Sequence, residues 1–378
     1  MTVFLQFLSE HSNAAVIGIL IFFGLIETIF GYYANSKRSK DDVLVETVNM
    51  LILFAITKPG IMIVAYYLMS LLFPTTQGTI NHLPLWALTL AFVFGDDVLQ
   101  YWYHRLGHQI KWLWKAHRPH HAAAEMGLFV SYRESIFWYI LMPNIWFMGC
   151  FAYFGGVAGV LAGVVLKQII VISSHSMVTW DSFFYNRPKL MPILKILERI
   201  FITPAFHHGH HAVSIVDNIG NPNGNFGNMF SIWDQLFGSA KFTHTFPTKY
   251  GLETDYKENW TAHTFYPIIA SDIKGSEISR DFTFEKTTRL EPTKMVLPVG
   301  DYLYCQCGHS KNQPFCDGSH HGTMFQPMKF SIKKEREYKL CNCKLCAKGP
   351  FCDNSHNTLP SDGGAISNNR TTLQKNNY

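Results

Sequence analysis

Long apolar runs alternate with short polar segments in the first half of the chain, and this pattern predicts membrane-spanning helices. The first run covers residues 14–33, and a bilayer span needs about 20 residues. The basic residues Lys37, Arg38 and Lys40 follow directly. Because basic loops stay on the cytoplasmic side, this order predicts a cytoplasmic loop and an N-terminus outside.

Three further apolar stretches predict helices. Residues 43–73 contain Pro59–Gly60, where we expect a kink or a break. Residues 84–103 form the next helix. Residues 136–172 are too long for one span, and Gly155–Gly156 divides them into a predicted helical hairpin. The sequence thus predicts a mostly α, multi-span membrane domain, and everything after it should be cytoplasmic.

Composition indicates a membrane part joined to a soluble part. Of 378 residues, 48% are apolar and only 16% are charged, below the usual roughly 25%. We predict a membrane domain at 1–265, a linker at 266–297, a small α+β or irregular domain at 298–357, and a disordered tail at 358–378. The net charge of +5 comes without a basic run, so no nucleic acid partner is expected. The expected membrane is the bacterial cytoplasmic membrane or the endoplasmic reticulum.

Histidines are concentrated between residues 104 and 211, at spacings that favour metal binding. They form H-x3-H, H-x2-HH, a single histidine, and H-x2-HH again. On a helix, positions i, i+3 and i+4 share a face, so we expect each cluster to aim its imidazoles at one point. Nine imidazoles are too many for one tetrahedral zinc but suffice for two metal ions of higher coordination. Lone histidines such as His11 and His82 are read as surface or packing residues. The nine candidate ligands are His104, His108, His117, His120, His121, His175, His207, His210 and His211.

Three carboxylates lie inside the predicted spans. Glu27 is either a packing residue or a functional group, since an acid within a membrane normally faces protein. Asp96 and Asp97 are either paired structural acids or partners that orient metal-binding imidazoles. We favour the second role for Asp97, which lies two turns before His104 on a similar helix face.

Seven of the eight cysteines lie between Cys305 and Cys352, in two copies of one pattern. Each copy begins with C-x-C and ends with Cys-Asp-(Gly or Asn)-Ser-His. Cys150 lies in the apolar region and is read as a buried, inert thiol. Crowded cysteines indicate disulfides in a secreted domain or metal in a reducing compartment, and the predicted cytoplasmic location favours metal. Three cysteines and one histidine per copy, at matched spacing, could bind zinc.

The histidine series resembles the fatty acid hydroxylase and sterol desaturase superfamily over roughly residues 10–265. The matching motifs are Asp97-x3-Tyr101-Trp102-x-His104-Arg105, Leu113-Trp114-x2-His117, Thr203-Pro204, Asn225-Phe226-Gly227 and Trp233-Asp234-x2-Phe237-Gly238. The resemblance implies a helical membrane domain with a cytosolic cap, in which the histidines hold two non-haem iron ions. It also implies O2-dependent hydroxylation or desaturation of a lipid.

The cysteine repeat resembles the CDGSH iron–sulfur family in its two-motif form. That resemblance implies one [2Fe–2S] cluster per motif, held by three cysteines and one histidine. The first cluster would use Cys305, Cys307, Cys316 and His320, and the second would use Cys341, Cys343, Cys352 and His356. Cys346 stands where Ser310 stands in the first copy, so we do not expect it to be a ligand.

Together these features predict a membrane-bound di-iron oxygenase that hydroxylates a sterol, fatty acyl or related lipid with O2. Each turnover consumes two external electrons, and two [2Fe–2S] clusters store one each, so the chain's own clusters are expected to relay them. An external reductase must load the clusters, because no Gly-rich flavin or nicotinamide fingerprint occurs. Two alternatives stay open. The enzyme could be a desaturase with the same relay, or the protein could be a membrane-bound iron–sulfur redox sensor or cluster-transfer protein.

Overall fold

A computed structural model describes most of the chain as two compact units, one ending near residue 283 and one following it. The described residues are 2–36, 38–213, 219–252, 258–273, 278, 291–308, 310–320, 327–343, 346 and 349–354. The predicted ligand His356, the predicted tail 358–378 and much of the predicted linker lie outside them. The domain boundaries drawn from the sequence therefore stay predictions.

The N-terminal unit is helical throughout its described residues. Its helices are α1 Thr2–Glu10, α2 Ser12–Ile29, α3 Tyr32–Asn35, α4 Lys40–Ile52, α5 Lys58–Leu72, α6 Leu85–Gln109, α7 Lys111–His121, α8 Ile136–Leu141, α9 Pro143–Phe151, α10 Val157–His175, α11 Ser182–Tyr185, α12 Met191–Ile200, α13 Pro204–His210, α14 Ile232–Leu236 and α15 Trp260–Phe265.

Three helical segments in the described part of the chain are long and apolar enough to cross a membrane. They are Ser12–Ile29, Lys40–Leu72 and Pro143–His175. Helix α6 contains the predicted span 84–103 but is not among them. Its second half carries Asp96, Asp97 and the first histidines, which make it more polar than the other three.

Two helix boundaries differ from the sequence prediction. Helix α2 ends at Ile29, because Gly31 adopts a left-handed conformation (φ 75°) that starts the short α3. The predicted break at Pro59–Gly60 is absent. Instead, a π-helical turn at Leu53–Thr57 joins α4 to α5 in one continuous segment. Proline has no N–H to donate to the residue four positions earlier, and a wider turn just before it accommodates the loss.

The predicted hairpin at Gly155–Gly156 is present. Gly155 has a non-helical backbone (φ 107°) between α9 and α10. A Cβ on Gly159 would meet Leu88, and a Cβ on Gly163 would meet Phe92. Residue numbers rise together along both helices, so α10 runs parallel to α6. In α9, by contrast, Asn144 contacts Asp96 while the later Phe151 packs against Phe92, so α9 runs antiparallel to α6. The reversal brings the ends of α6 and α10 to the same side of the bundle.

The C-terminal unit contains two antiparallel strand pairs among its described residues. Strand β1 (Thr293–Leu297) pairs with β4 (Arg336–Leu340), and β2 (Gly300–Tyr304) pairs with β3 (Met328–Ile332). The apolar side chains of Leu297, Ile332 and Leu340 form its buried core. The first cysteine of one repeat directly follows β2, and that of the other directly follows β4. Each motif therefore begins at the end of a strand in its own strand pair.

Candidate metal centres

The structure brings the nine predicted histidines together into two groups. The helix ends of α6 and α10 and the short helices α7 and α13 supply them. In each group one ring nitrogen per residue lies within 4.8 Å of all the others. The first group is His104, His108, His117, His121 and His210. The second group is His120, His175, His207 and His211. All nine side chains are buried.

The prediction that each sequence cluster converges on one point is wrong. Helix α7 sends His117 and His121 to the first group and His120 to the second. The last cluster divides in the same way, with His210 in the first group and His207 and His211 in the second. Neighbouring positions on a helix differ by about 100° in direction. One cluster can therefore bridge two adjacent metal positions.

Backbone carbonyls fix the protonation of several imidazoles. His104 donates from Nδ1 to the carbonyl of Phe226 (2.8 Å), and His210 donates from Nδ1 to that of Gly224 (2.7 Å). A carbonyl only accepts, so in each neutral ring the proton sits on Nδ1 and Nε2 carries a lone pair. These two Nε2 atoms are 2.9 Å apart. Neither atom can donate a hydrogen bond to the other, so their lone pairs repel each other. A metal cation bound by both nitrogens would remove this repulsion.

The second group shows the same arrangement. His120 and His175 donate from Nδ1 to the carbonyls of Val130 (2.9 Å) and Val171 (2.7 Å). Their Nε2 atoms are 3.4 Å apart. The Nε2 of His207 lies 2.9 Å from that of His175 and 3.1 Å from that of His211. The Nε2 atoms of His120 and His175 are thus unprotonated, and the convergence of the four rings on one point fits a metal ion.

Burial keeps the imidazoles in the neutral form that binds metal. Removal from water lowers the pKa well below 6.5 for seven of them: His108, His117, His120, His121, His207, His210 and His211. The positive charge that neighbouring histidines would carry lowers the pKa further. At neutral pH the groups therefore offer uncharged nitrogen donors.

Glu134 is a functional candidate that the sequence analysis missed. Its carboxylate accepts a hydrogen bond from Nδ1 of His117 at 2.9 Å. Burial raises the pKa of Glu134 well above 4.5, and Asn49 holds its backbone carbonyl from α4. A carboxylate behind an imidazole raises the basicity of that ligand. The sequence offers one weak sign of this role: the charged pair Arg133–Glu134 stands directly before an apolar stretch.

Asp97 does not contact an imidazole, contrary to our prediction. Its carboxylate accepts hydrogen bonds from the backbone N–H groups of Met229 (2.9 Å) and Phe230 (3.0 Å) and from the indole of Trp233 (3.0 Å). It thus anchors the segment after Phe226, whose carbonyl receives His104. The backbone and indole donors satisfy the buried carboxylate. Asp97 therefore acts on the histidines through the segment that contains Phe226, Met229 and Phe230.

Glu27 has a similar anchoring role, which answers the question left open by the sequence. It is fully buried and accepts hydrogen bonds from Tyr33 (2.8 Å), the backbone of Leu128 (2.9 Å) and Ser176 (2.9 Å). Ser176 directly follows His175. The carboxylate therefore ties α2 to the end of α10, where the second histidine group begins.

A cavity of about 140 Å³ lies beside the histidines. Its walls include the imidazoles of His104, His117, His120, His175 and His207. The rest of its lining is mixed, with the apolar side chains of Met142 and Ile145 and the charged side chains of Glu134 and Lys167. Residues of both histidine groups therefore line the cavity together with apolar and charged side chains.

The two cysteine motifs have matching backbone geometry. The N–H of Cys305 donates to the carbonyl of Pro314 (2.9 Å), and that of Cys341 to the carbonyl of Pro350 (2.7 Å). The two Sγ atoms of each C-x-C pair are 3.6 Å apart in the first motif and 3.5 Å apart in the second. In the first motif, Sγ of Cys316 lies 3.1 Å from Nδ1 of His320. These donor sets, together with nearby backbone N–H groups, suit an iron–sulfur cluster.

The second motif has one extra thiol. Cys341, Cys343 and Cys346 lie within 4.8 Å of one another. A hydrogen bond from Cys343 lowers the pKa of Cys341 to about 4, so this sulfur is a thiolate at neutral pH, the form that binds iron. The predicted ligand His356 lies outside the described residues, so the second ligand set is complete only as a prediction.

Family comparisons agree with this division of the chain. The fatty acid hydroxylase family model matches residues 89–239, which contain all nine histidines. The model described as iron-binding zinc finger, CDGSH type, matches residues 273–321, which contain the whole first cysteine motif. One stretch of the chain thus matches the fatty acid hydroxylase family, and a later stretch matches the CDGSH iron–sulfur family. The relatives of the first stretch are named as monooxygenases.

Three relatives show how much of each domain is shared. Alkylglycerol monooxygenase of Danio rerio is 26% identical over 41% of this chain and 30% of its own length. Methylsterol monooxygenase 1 of Rattus norvegicus is 28% identical over 45% of this chain and 53% of its own length. The mitochondrial CDGSH iron-sulfur domain-containing protein 3 of Mus musculus is 34% identical over 21% of this chain and 67% of its own length. The chain thus spans less than two thirds of the monooxygenases it matches.

Proposed function

We propose that the chain is a membrane-bound non-haem di-iron oxygenase that hydroxylates a C–H bond of a lipid with O2. The observation that carries the proposal is the convergence of nine buried, neutral imidazoles in two adjoining groups beside a cavity. All-imidazole donor sets suit iron. The long apolar helices of the same unit support a membrane location, and we expect the histidines on the cytoplasmic side.

Each group would hold one iron ion. His104, His108, His117, His121 and His210 would bind the first ion, and His120, His175, His207 and His211 the second. The bound iron pair supplies O2 activation. The chain itself supplies the rest: carbonyls and Glu134 orient the rings, burial excludes water, and Tyr139, Met142 and Ile145 hold the apolar part of the substrate against the histidines.

Hydroxylation is favoured over desaturation because the relatives found for this domain are named monooxygenases. Product analysis separates the two reactions, since one gives an alcohol and the other an alkene. A redox sensor or cluster-transfer protein would need neither the nine-histidine site nor a cavity beside it. Those features favour the enzyme.

The CDGSH domain would supply the electrons. Each [2Fe–2S] cluster stores one electron, so two clusters hold the two that one hydroxylation consumes. Tethering the donor to the oxygenase domain gives an effective concentration of roughly millimolar. An external reductase reloads the clusters after each turnover.

The first test is the content of iron and acid-labile sulfide in anaerobically purified protein. We expect about six irons and about four sulfides per chain, from one di-iron site and two [2Fe–2S] clusters. Four irons with four sulfides would mean that the histidine site holds no iron and would count against the oxygenase. Zinc without sulfide would overturn the electron relay.

A further inference from the structure

A large apolar cavity, separate from the one beside the histidines, lies among the membrane-type helices. It has a volume of about 820 Å³ and is lined by residues of α2, the α4–α5 segment, α9 and α10. Ile17, Leu51 and Ile63 line it and are more than half exposed on the outer surface of these helices. In a membrane that surface faces lipid, so the cavity can receive an apolar chain from the bilayer.

The apolar cavity adjoins the histidine cavity. Phe54, Lys58, Met148 and Val164 line both. Three of these shared residues are apolar, and Lys58 is the only cation among the four. A lipid that enters from the bilayer and approaches the histidines therefore passes the ammonium group of Lys58.

Lys58 has no nearby counter-ion of its own among the described residues. Asp96 is fully buried, but it is paired with Lys167 and also accepts a hydrogen bond from Asn144 (3.2 Å). The described contacts give Lys58 no hydrogen bond and no carboxylate within 4.0 Å. Asp97 also interacts with Lys167, but its oxygens accept hydrogen bonds from backbone and indole N–H groups. Lys58 is therefore left without a direct ion pair among the described residues.

The other acid at the histidine cavity does not compensate this charge. Glu134 is engaged by His117 and makes no described ion pair with Lys58. An ammonium group inside a membrane domain is costly unless it is paired, and such residues commonly mark ligand sites. The missing charge at the junction of the two cavities is therefore negative.

We propose that Lys58 binds the anionic head of a single-chain lipid, a carboxylate or a phosphate, whose tail occupies the apolar cavity. This inference rests on the proposed lipid oxygenase function and narrows its substrate class to anionic lipids. The bound head would complete the set of charges formed by Lys58, Lys167 and Asp96. A neutral lipid would leave the ammonium group unpaired.

Equilibrium binding tests this proposal without turnover. Three radiolabelled probes share one chain length: hexadecanoate, hexadecyl phosphate and the neutral hexadecan-1-ol. Each is titrated into the detergent-purified full chain, as wild type, Lys58→Met, Lys58→Arg and Lys189→Met. Lys189 is exposed and remote from both cavities, so its variant controls for the loss of one positive charge.

We expect Lys58→Met to weaken binding of at least one anionic probe by about tenfold or more, as loss of a charged hydrogen bond does. Binding of hexadecan-1-ol should change little, and Lys58→Arg should keep the preference for an anion. Whichever anionic probe loses affinity identifies the head group. Equal losses for all three probes, no loss for either anion, or no binding by wild type would each overturn the proposal. Lipid binding needs neither iron nor O2, so the binding result can be interpreted even if the oxygenase assay fails.

Discussion

At the scale of single residues, the groups behind the imidazoles decide how each ring is held. His104, His120, His175 and His210 each donate Nδ1–H to a backbone carbonyl. His117 alone among the described rings of the two groups donates to a carboxylate, that of Glu134. A carboxylate withdraws proton density from the ring more strongly than a carbonyl does, so His117 should be the most electron-rich ligand of the first group.

Replacing Glu134 by glutamine should weaken iron binding while the fold persists. The amide keeps the size of the side chain and can still accept from His117, but it removes the charge. Loss of such a partner typically costs about 10- to 100-fold in metal affinity. The measurement is iron retained against a graded chelator. Glu10→Gln, at an exposed acid on α1, is the matched control. Iron retention equal to wild type in Glu134→Gln would contradict the role assigned to this carboxylate.

The depressed pKa values of the histidines make a prediction for the metal-free protein. Seven rings have pKa values well below 6.5 in the folded chain, whereas the unfolded chain has ordinary values. Below about pH 6.5 the unfolded state therefore binds more protons, and acidification favours unfolding. Each ring contributes up to about 1.4 kcal/mol per pH unit.

We therefore expect the unfolding temperature of metal-free protein to fall steadily between pH 7.5 and pH 5.5. Differential scanning fluorimetry in detergent measures it. Iron-loaded protein should unfold at a higher temperature, because metal binds the folded state, and its fall should be at least as large, because its ring nitrogens also carry no protons. A midpoint that stays constant or rises on acidification would show that the rings are not held neutral by burial.

At the scale of helices, small residues bring the two metal-bearing helices together. A Cβ on Gly159 of α10 would lie 2.7 Å from the backbone carbon of Leu88 on α6. One on Gly163 would lie 2.5 Å from the ring of Phe92. Glycine at these positions lets α6 and α10 approach closely along their length. The same contact sets how far His104 and His175, at the ends of these helices, lie from each other.

Gly159→Ala should destabilise the protein and loosen its metal site. The added methyl group meets backbone that cannot move aside easily, and such overpacking usually costs about 1–3 kcal/mol. Gly18→Ala is the matched control, because nothing lies within 4 Å of a Cβ there. In the control, the higher helix propensity of alanine should be neutral or stabilising by up to about 1 kcal/mol. The comparison uses unfolding temperature and iron content. Equal behaviour of the two variants would show that the α6–α10 contact does not set the site.

Much of this helical arrangement could be predicted from sequence, and the exceptions have physical reasons. The hairpin at Gly155–Gly156 followed from the length of one apolar run, and the histidines were visible from their spacing. The sequence could not predict that the histidines of α7 divide between the two groups, because this division depends on where α10 and α13 lie around α7. Glu134 was missed for the same reason. Its contact with His117 arises from the tertiary fold, and no helical spacing in the sequence connects the two residues. The π-helical turn at Leu53–Thr57 likewise depends on how the backbone adjusts around Pro59.

At the scale of the whole molecule, the proposed function would combine an electron store with a site that consumes electrons in pairs. Each cysteine motif follows its own strand, β2 or β4, and repeats the same backbone hydrogen bonds. Two such clusters would together hold two electrons. The pairing of one double-motif domain with one nine-histidine domain therefore matches the stoichiometry of a single hydroxylation.

This match predicts that the clusters supply one turnover beyond the electrons held by the reduced iron pair. Protein reduced anaerobically, freed of reductant and mixed with O2 and substrate should form up to about two products per chain, because the iron pair and the two clusters would hold two electrons each. Cys316→Ser removes a predicted ligand of the first cluster and should fail to form the second product from stored electrons. Cys346→Ser is the matched control, because this thiol is not a predicted ligand and serine stands at the equivalent position of the first motif. Both variants should form product when an external donor is supplied continuously.

The contrast between the two conditions makes the test specific to the relay. If Cys316→Ser fails both with stored electrons and with an external donor, the substitution has damaged the oxygenase domain, and its iron content will show this. If it succeeds in both, the hydroxylase domain takes its electrons from elsewhere and the CDGSH domain has another role. Only failure with stored electrons and success with an external donor supports the fused domain as the donor, since that result separates electron delivery from the chemistry at the histidines.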